Sequence, residues 1–170
     1  YKAVRDSEER LIAATEGPGG YSVPEGGIPA PARIEVFLAV RDELQPWLAN
    51  LAEANEQFLV DREKQETGGV KEFVKLFITG SDLMPVYAGF WTARNEALLE
   101  HAMGPGEFAY TYTLVYRTWL GLGREGSPAE AYPTEALSAA LEPYRTRLLE
   151  TYVPEVELLE LIFEKDKPTR

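Results

Sequence analysis

The stretch Gly106–Gly121, GEFAYTYTLVYRTWLG, restricts the fold more than any other part of the chain. At about 100° per residue, Phe108, Tyr112, Val115, Tyr116 and Trp119 share one wide helical face. Tyr110 and Leu114 occupy the other side, so few positions remain for water. A helix that is apolar nearly all round must be enclosed by others, and the chain is expected to be built around it.

The rest of the sequence supplies the enclosing helices. Residues 2–16 read as a short helix packing through Val4, Leu11, Ile12 and Ala14, ended by Gly17 in a left-handed C′ position. Residues 17–32 carry five glycines and four prolines, too irregular for a regular period. They form an arm that lies along the body through Tyr21, Val23 and Ile28. The longest helical pattern runs from about Ala32 to Glu66. Ile34, Phe37, Leu38, Leu44, Leu48, Leu51, Ala52, Phe58 and Leu59 keep one face, and Glu35, Asp42, Asn50, Glu53 and Gln57 the other. Pro46 is expected to kink or break it.

Gly68-Gly69 then turns the chain into a short helix over 70–79, which Gly80 stops. Ser81 or Asp82 caps a further helix that reaches about Met103, with Pro85 tolerated in its first turn. Gly104-Pro105-Gly106 separates it from the aromatic helix, which ends at Gly121 or Gly123. Residues 122–133 form a loop. Leu137, Leu141, Tyr144 and Leu148 give helical spacing with a distortion at Pro143, and a last helix carries Val156, Leu159, Ile162 and Phe163 before a frayed tail at 165–170. No segment alternates as a strand would. The expected fold is therefore an all-α, single-domain bundle over 1–170 of about six to eight helices. Its long helix near 32–66 is kinked, and its aromatic helix near 106–121 is central.

Composition excludes several function classes. The chain has 170 residues and no cysteine, so disulfides, thiolate metal sites and a thiol nucleophile are all ruled out. A chain this long hides roughly 70% of its unfolded surface, enough for a core without metal or disulfide staples. A net charge of −11 opposes binding to nucleic acid or to an anionic membrane surface. No apolar run is long enough to insert into a bilayer. The first residue is Tyr1 rather than Met, which favours slightly a removed export signal or lipoprotein anchor, and so a periplasmic or envelope-tethered place, over the cytoplasm.

Catalytic signatures are missing as well. A di-iron carboxylate bundle needs Glu-x-x-His pairs, but the single histidine, His101, follows Leu98 at that spacing. There is no calcium loop and no Gly-x-Ser-x-Gly elbow, and Gly17-Pro18-Gly19-Gly20 lacks the Lys-Ser/Thr and preceding strand of a phosphate loop. No catalytic residue, metal or cofactor is expected.

What remains is a set of polar residues on apolar faces. Arg41 and Gln45 fall in the stripe of Ile34, Leu38, Leu48 and Ala52, with Asn55 and Arg62 at its border. Arg94 projects among Val86, Tyr87, Phe90, Trp91 and Leu98, and His101 lies in nearly the same direction. An unpaired buried guanidinium is costly. One reading is an interhelical pocket in which Arg41, Arg94 and His101 hold a small anion, lined by Trp91, Tyr112 and Tyr116. The plainer reading, and the favoured one, pairs the arginines with a buried acid such as Glu100 or Glu107 and places the aromatic residues in the core. The expected function is a helical binding or interaction domain, its partner a protein of unknown identity. A small-molecule binder or enzyme using the pocket is the alternative. Trp47 and Val40, off the main stripe of the long helix, suggest a face for a homo-oligomer.

Overall fold

The computed structural model of the protein describes residues 2–17, 19–63, 83–122 and 134–162. The helix expected over 70–79, the caps Ser81 and Asp82, most of the loop 122–133 and the tail lie outside them. So do the side chains of Asn55, Phe58, Leu59 and Arg62. Among the described residues the chain is all-α, with no strand.

Helix α1 spans Lys2–Ala14 and buries Val4, Ser7, Glu8 and Leu11. Gly17 is not the left-handed terminator expected from its position. The helix stops earlier, at Ala14, where the Leu11 carbonyl accepts both the Thr15 N–H at 2.9 Å and the Thr15 hydroxyl at 2.7 Å. The arm that follows does lie on the body. Tyr110 donates its hydroxyl to the Gly27 carbonyl at 2.6 Å, and the rings of Tyr21 and Tyr110 are 5.5 Å apart.

Helix α2, Pro31–Glu63, continues on both sides of Pro46 rather than breaking there. Val40 is buried: three residues after Phe37 and four before Leu44, it lies on the packed face. Trp47 remains 38% exposed. Helix α3, Met84–Glu100, starts behind Leu83 at the N-cap position and packs extensively against both α1 and α2. At Gly89 a β-carbon would come within 2.8 Å of the Trp47 ring. The missing side chain of Gly89 thus lets Trp47 lie down across α3. Of the two residues singled out for self-association, Val40 is buried within the chain and Trp47 packs against α3 with part of its ring exposed.

Helix α4, Pro105–Tyr112, continues without interruption into a π-helical turn, Thr113–Trp119. Its wider turn shows in the bond from the Leu120 N–H to the Val115 carbonyl, 3.0 Å long and five residues back. Gly121, at φ +64°, closes the segment as expected. Phe108, Tyr112, Val115, Tyr116 and Trp119 are all buried, while Tyr110 and Leu114 are half-buried. The Thr111 hydroxyl is buried and bonds to no carbonyl one turn back. Thr111→Val keeps the shape and removes an orphaned hydroxyl, so it is expected to stabilise the protein by about 1 kcal/mol, read from the urea midpoint.

The C-terminal part is a series of short pieces. Thr134 caps α5, Glu135–Leu141, by accepting the Leu137 N–H at 3.1 Å. Pro143 falls in a tight 3₁₀ turn, Glu142–Tyr144, before α6, Arg145–Glu150. Arg147 of α6 reaches Glu35 at 3.2 Å and Asp42 at 2.5 Å on the polar face of α2. A second 3₁₀ turn, Pro154–Val156, leads into α7, Glu157–Leu161, after which Ile162 is extended and exposed. One buried cluster runs from Leu11 through α2, α3 and the aromatic segment to Leu159.

Candidate functional site

The inward-pointing polar residues of α2 and α3 meet at α7. This five-residue helix carries two glutamates, Glu157 and Glu160, and both are buried to about the level of core leucines. Charges so placed require partners. Arg41, fully buried on α2, forms an ion pair with Glu160 and donates to the Thr151 carbonyl. Its guanidinium lies over the rings of Tyr112 and Tyr116, 5.4 and 5.5 Å from their centroids. Those two rings are 4.7 Å apart, so the cation is held against a pair of aromatic faces.

The tyrosine hydroxyls extend the network. Tyr112 donates to the Glu160 carboxylate at 2.9 Å, and Tyr116 and Thr151 share a hydrogen bond of 3.0 Å. Burial keeps the Tyr112 phenol protonated above its ordinary range, although Arg41 pulls the other way. It is a donor here, not a phenolate. Glu157 is met from the π-helical turn by Arg117, whose Nε lies 2.8 Å from the carboxylate. That hydrogen bond raises the Arg117 pKa against the opposing effect of burial.

Arg94 works on the backbone of the same segment. Its Nη1 donates to the carbonyls of Glu160 and Ile162, both at 2.8 Å, and the Trp91 indole donates to the Leu159 carbonyl at 3.0 Å. Together they satisfy acceptors that the last turn of α7 cannot bond internally. Burial lowers the Arg94 pKa to about 9, with Glu8 of α1 opposing the shift, and the group stays cationic at neutral pH. Its neighbour Asn95 accepts from Arg94 at 3.2 Å and donates to Ser7 of α1 at 3.0 Å. Arg94 and Asn95 therefore join the first helix to the last.

Of the six residues singled out from the sequence, five lie around α7: Arg41 and Tyr112 at the Glu160 carboxylate, Tyr116 at Thr151 and against the Arg41 guanidinium, Arg94 and Trp91 at the carbonyls. His101 does not join them. It sits at the end of α3, part-exposed, 3.1 Å from Glu43 on the surface of α2. The acid partners also differ from those expected. Glu100 is exposed, and Glu107 is held by both Nε and Nη2 of Arg33 at 2.6 Å. The residues missed were Glu157, Glu160, Thr151 and Glu8. Two had a signal: Glu160 stands four residues after Val156, and Glu8 four after Val4 and three before Leu11, both on apolar stripes.

Chemically, this arrangement matches each buried cation to acceptors within the chain. Among the described residues no group of three or more His, Asp or Glu side chains is placed to hold a metal ion, and no helix is long and apolar enough to cross a membrane. Comparison with known protein families, with curated proteins and with solved structures finds no match to this chain.

Proposed function

We propose that the chain is a non-catalytic helical interaction domain that meets its partner through its surface, not a binder of small anions in its interior. The observation that carries this reading is the pairing of Arg41 with Glu160 and of Arg94 with the carbonyls of α7. The cations that an anion pocket would use hold the fold together instead. The net charge of −11 directs the surface towards partners with basic character. An exported or tethered place in a bacterial envelope suits an acidic, cysteine-free chain, and fractionation of the native cells checks it.

Thermal unfolding with a series of anions tests the main reading. A ligand at a hundred times its dissociation constant adds about 2.7 kcal/mol of stability, or roughly 5–10 °C in Tm for a chain of this size. Phosphate, acetate and citrate, compared with chloride at equal ionic strength, are expected to leave Tm unchanged. A saturable rise with one of them, lost in Arg41→Met, would overturn the reading in favour of an interior anion site.

A further inference from the structure

A cleft of about 220 Å³ opens where the arm passes the ends of α1 and α3. Its walls include Ala14, Thr15, Glu16, Tyr21, Ala102 and Glu107. Two helices finish in it. Helix α1 ends at Ala14, and α3 ends in a Schellman turn in which Met103 N–H bonds the Leu98 carbonyl at 2.9 Å and Ala102 N–H bonds that of Leu99 at 3.2 Å. Each C-terminus contributes a partial negative charge to the space between them.

Of the side chains, one adds to the same sign. Arg33 neutralises Glu107 and also donates to the Ala102 carbonyl at 3.1 Å. Because Arg33 and Glu107 cancel, the positive N-terminus of α4 offsets part of the charge of the two C-termini, and the net sign is left to Glu16. Glu16 makes no ion pair among the described residues, so its charge is the one left over. Burial raises the pKa of the Tyr21 phenol, with Glu107 adding to the shift and Arg33 opposing it. The Tyr21 ring, fixed against Tyr110, offers an apolar and cation-tolerant wall.

Size narrows the ligand. At about 30 Å³ per water the cleft takes roughly seven waters, room enough for a short alkyl chain with a charged end. We propose that this cleft binds a primary ammonium group on a short alkyl stem, with Glu16 as counter-ion and Tyr21 against the stem. The group comes either from a free amine or from a lysine side chain of a partner. This inference is independent of the roles of Arg41 and Arg94.

The test is an amide NMR titration of the whole chain with n-butylammonium, with n-butanol as the uncharged control. Saturable shifts are expected at Thr15, Glu16, Tyr21, Ala102 and Glu107, with a dissociation constant on the order of 1 mM. Glu16→Gln, at an exposed position, should keep the rest of the spectrum and weaken binding about tenfold. A non-saturable response, an equal response to butanol, or binding unchanged by Glu16→Gln overturns the proposal. A capped Gly-Lys-Gly peptide separates the sources. Equal affinity at the same amides assigns a partner's lysine, and binding of butylammonium alone assigns a free amine.

Discussion

Arg41→Met is expected to cost about 3–5 kcal/mol of folding stability, measured by urea unfolding at neutral pH. The variant leaves Glu160 as a buried anion whose remaining side-chain partner is the Tyr112 hydroxyl. One such hydrogen bond does not replace a lost cation where water is excluded. For a domain whose whole stability is about 5–15 kcal/mol, a loss of this size moves the midpoint far towards unfolding. Glu160→Gln alone should also destabilise, because Arg41 then keeps the Thr151 carbonyl and two ring faces but no opposite charge. The combined variant Arg41→Met/Glu160→Gln removes both charges and leaves an amide oxygen for Tyr112. It is expected to recover a large part of the loss, since replacing a buried pair costs far less than breaking one.

Arg94→Met should cost a similar amount, about 3–5 kcal/mol, but its damage is distributed differently. It strips the Glu160 and Ile162 carbonyls of α7 of their donor, and it removes the cation next to the buried Glu8 of α1. Ile162 is exposed and water can replace Arg94 there, whereas Glu160 and Glu8 are enclosed. Hydrogen exchange should therefore show early loss of protection in both α1 and α7, the two ends of the chain, while the interior of α2 stays protected. Arg94→Lys keeps the charge but not the planar fork and should recover part of the stability. If Arg94→Met unfolds no more easily than the parent, the arginine does not hold the two ends.

The helices and most of the core were legible from the sequence, and the reason is local. Phe108, Tyr112, Val115, Tyr116 and Trp119 recur at a spacing that only a helix puts on one face, and all five are buried. Pro143 marks a distortion because its φ is fixed and it lacks an N–H, and Gly121 an end because glycine takes a left-handed φ at little cost. The π-helical turn at Thr113–Trp119 was not legible: it shifts the register by one hydrogen bond, which leaves no clear trace in the residue pattern. Val40 was misplaced although its spacing to Phe37 and Leu44 already puts it at the edge of the packed face.

The buried polar cluster was half legible. Arg41 and Arg94 stood out as cations on apolar faces, but their partners lie more than sixty residues away, at Thr151–Ile162. Sequence spacing cannot carry that distance. Glu100 and Glu107 seemed natural partners because they are near in sequence, yet one faces water and the other is claimed by Arg33. Glu157 and Glu160 stand in a short acidic segment whose composition alone does not mark them as buried. An acid four residues after Val156 could have been matched to an inward arginine, by the same reasoning that singled out Arg41.

The most direct measurement is a double-mutant cycle between Arg41 and Glu160, using Arg41→Met, Glu160→Gln and their combination. Residues that pair in a buried network do not act additively. A coupling of at least about 2 kcal/mol is predicted if the guanidinium and the carboxylate hold each other inside the folded chain. Additivity within about 0.5 kcal/mol would contradict it, and would return Arg41 to the list of groups free to bind a ligand.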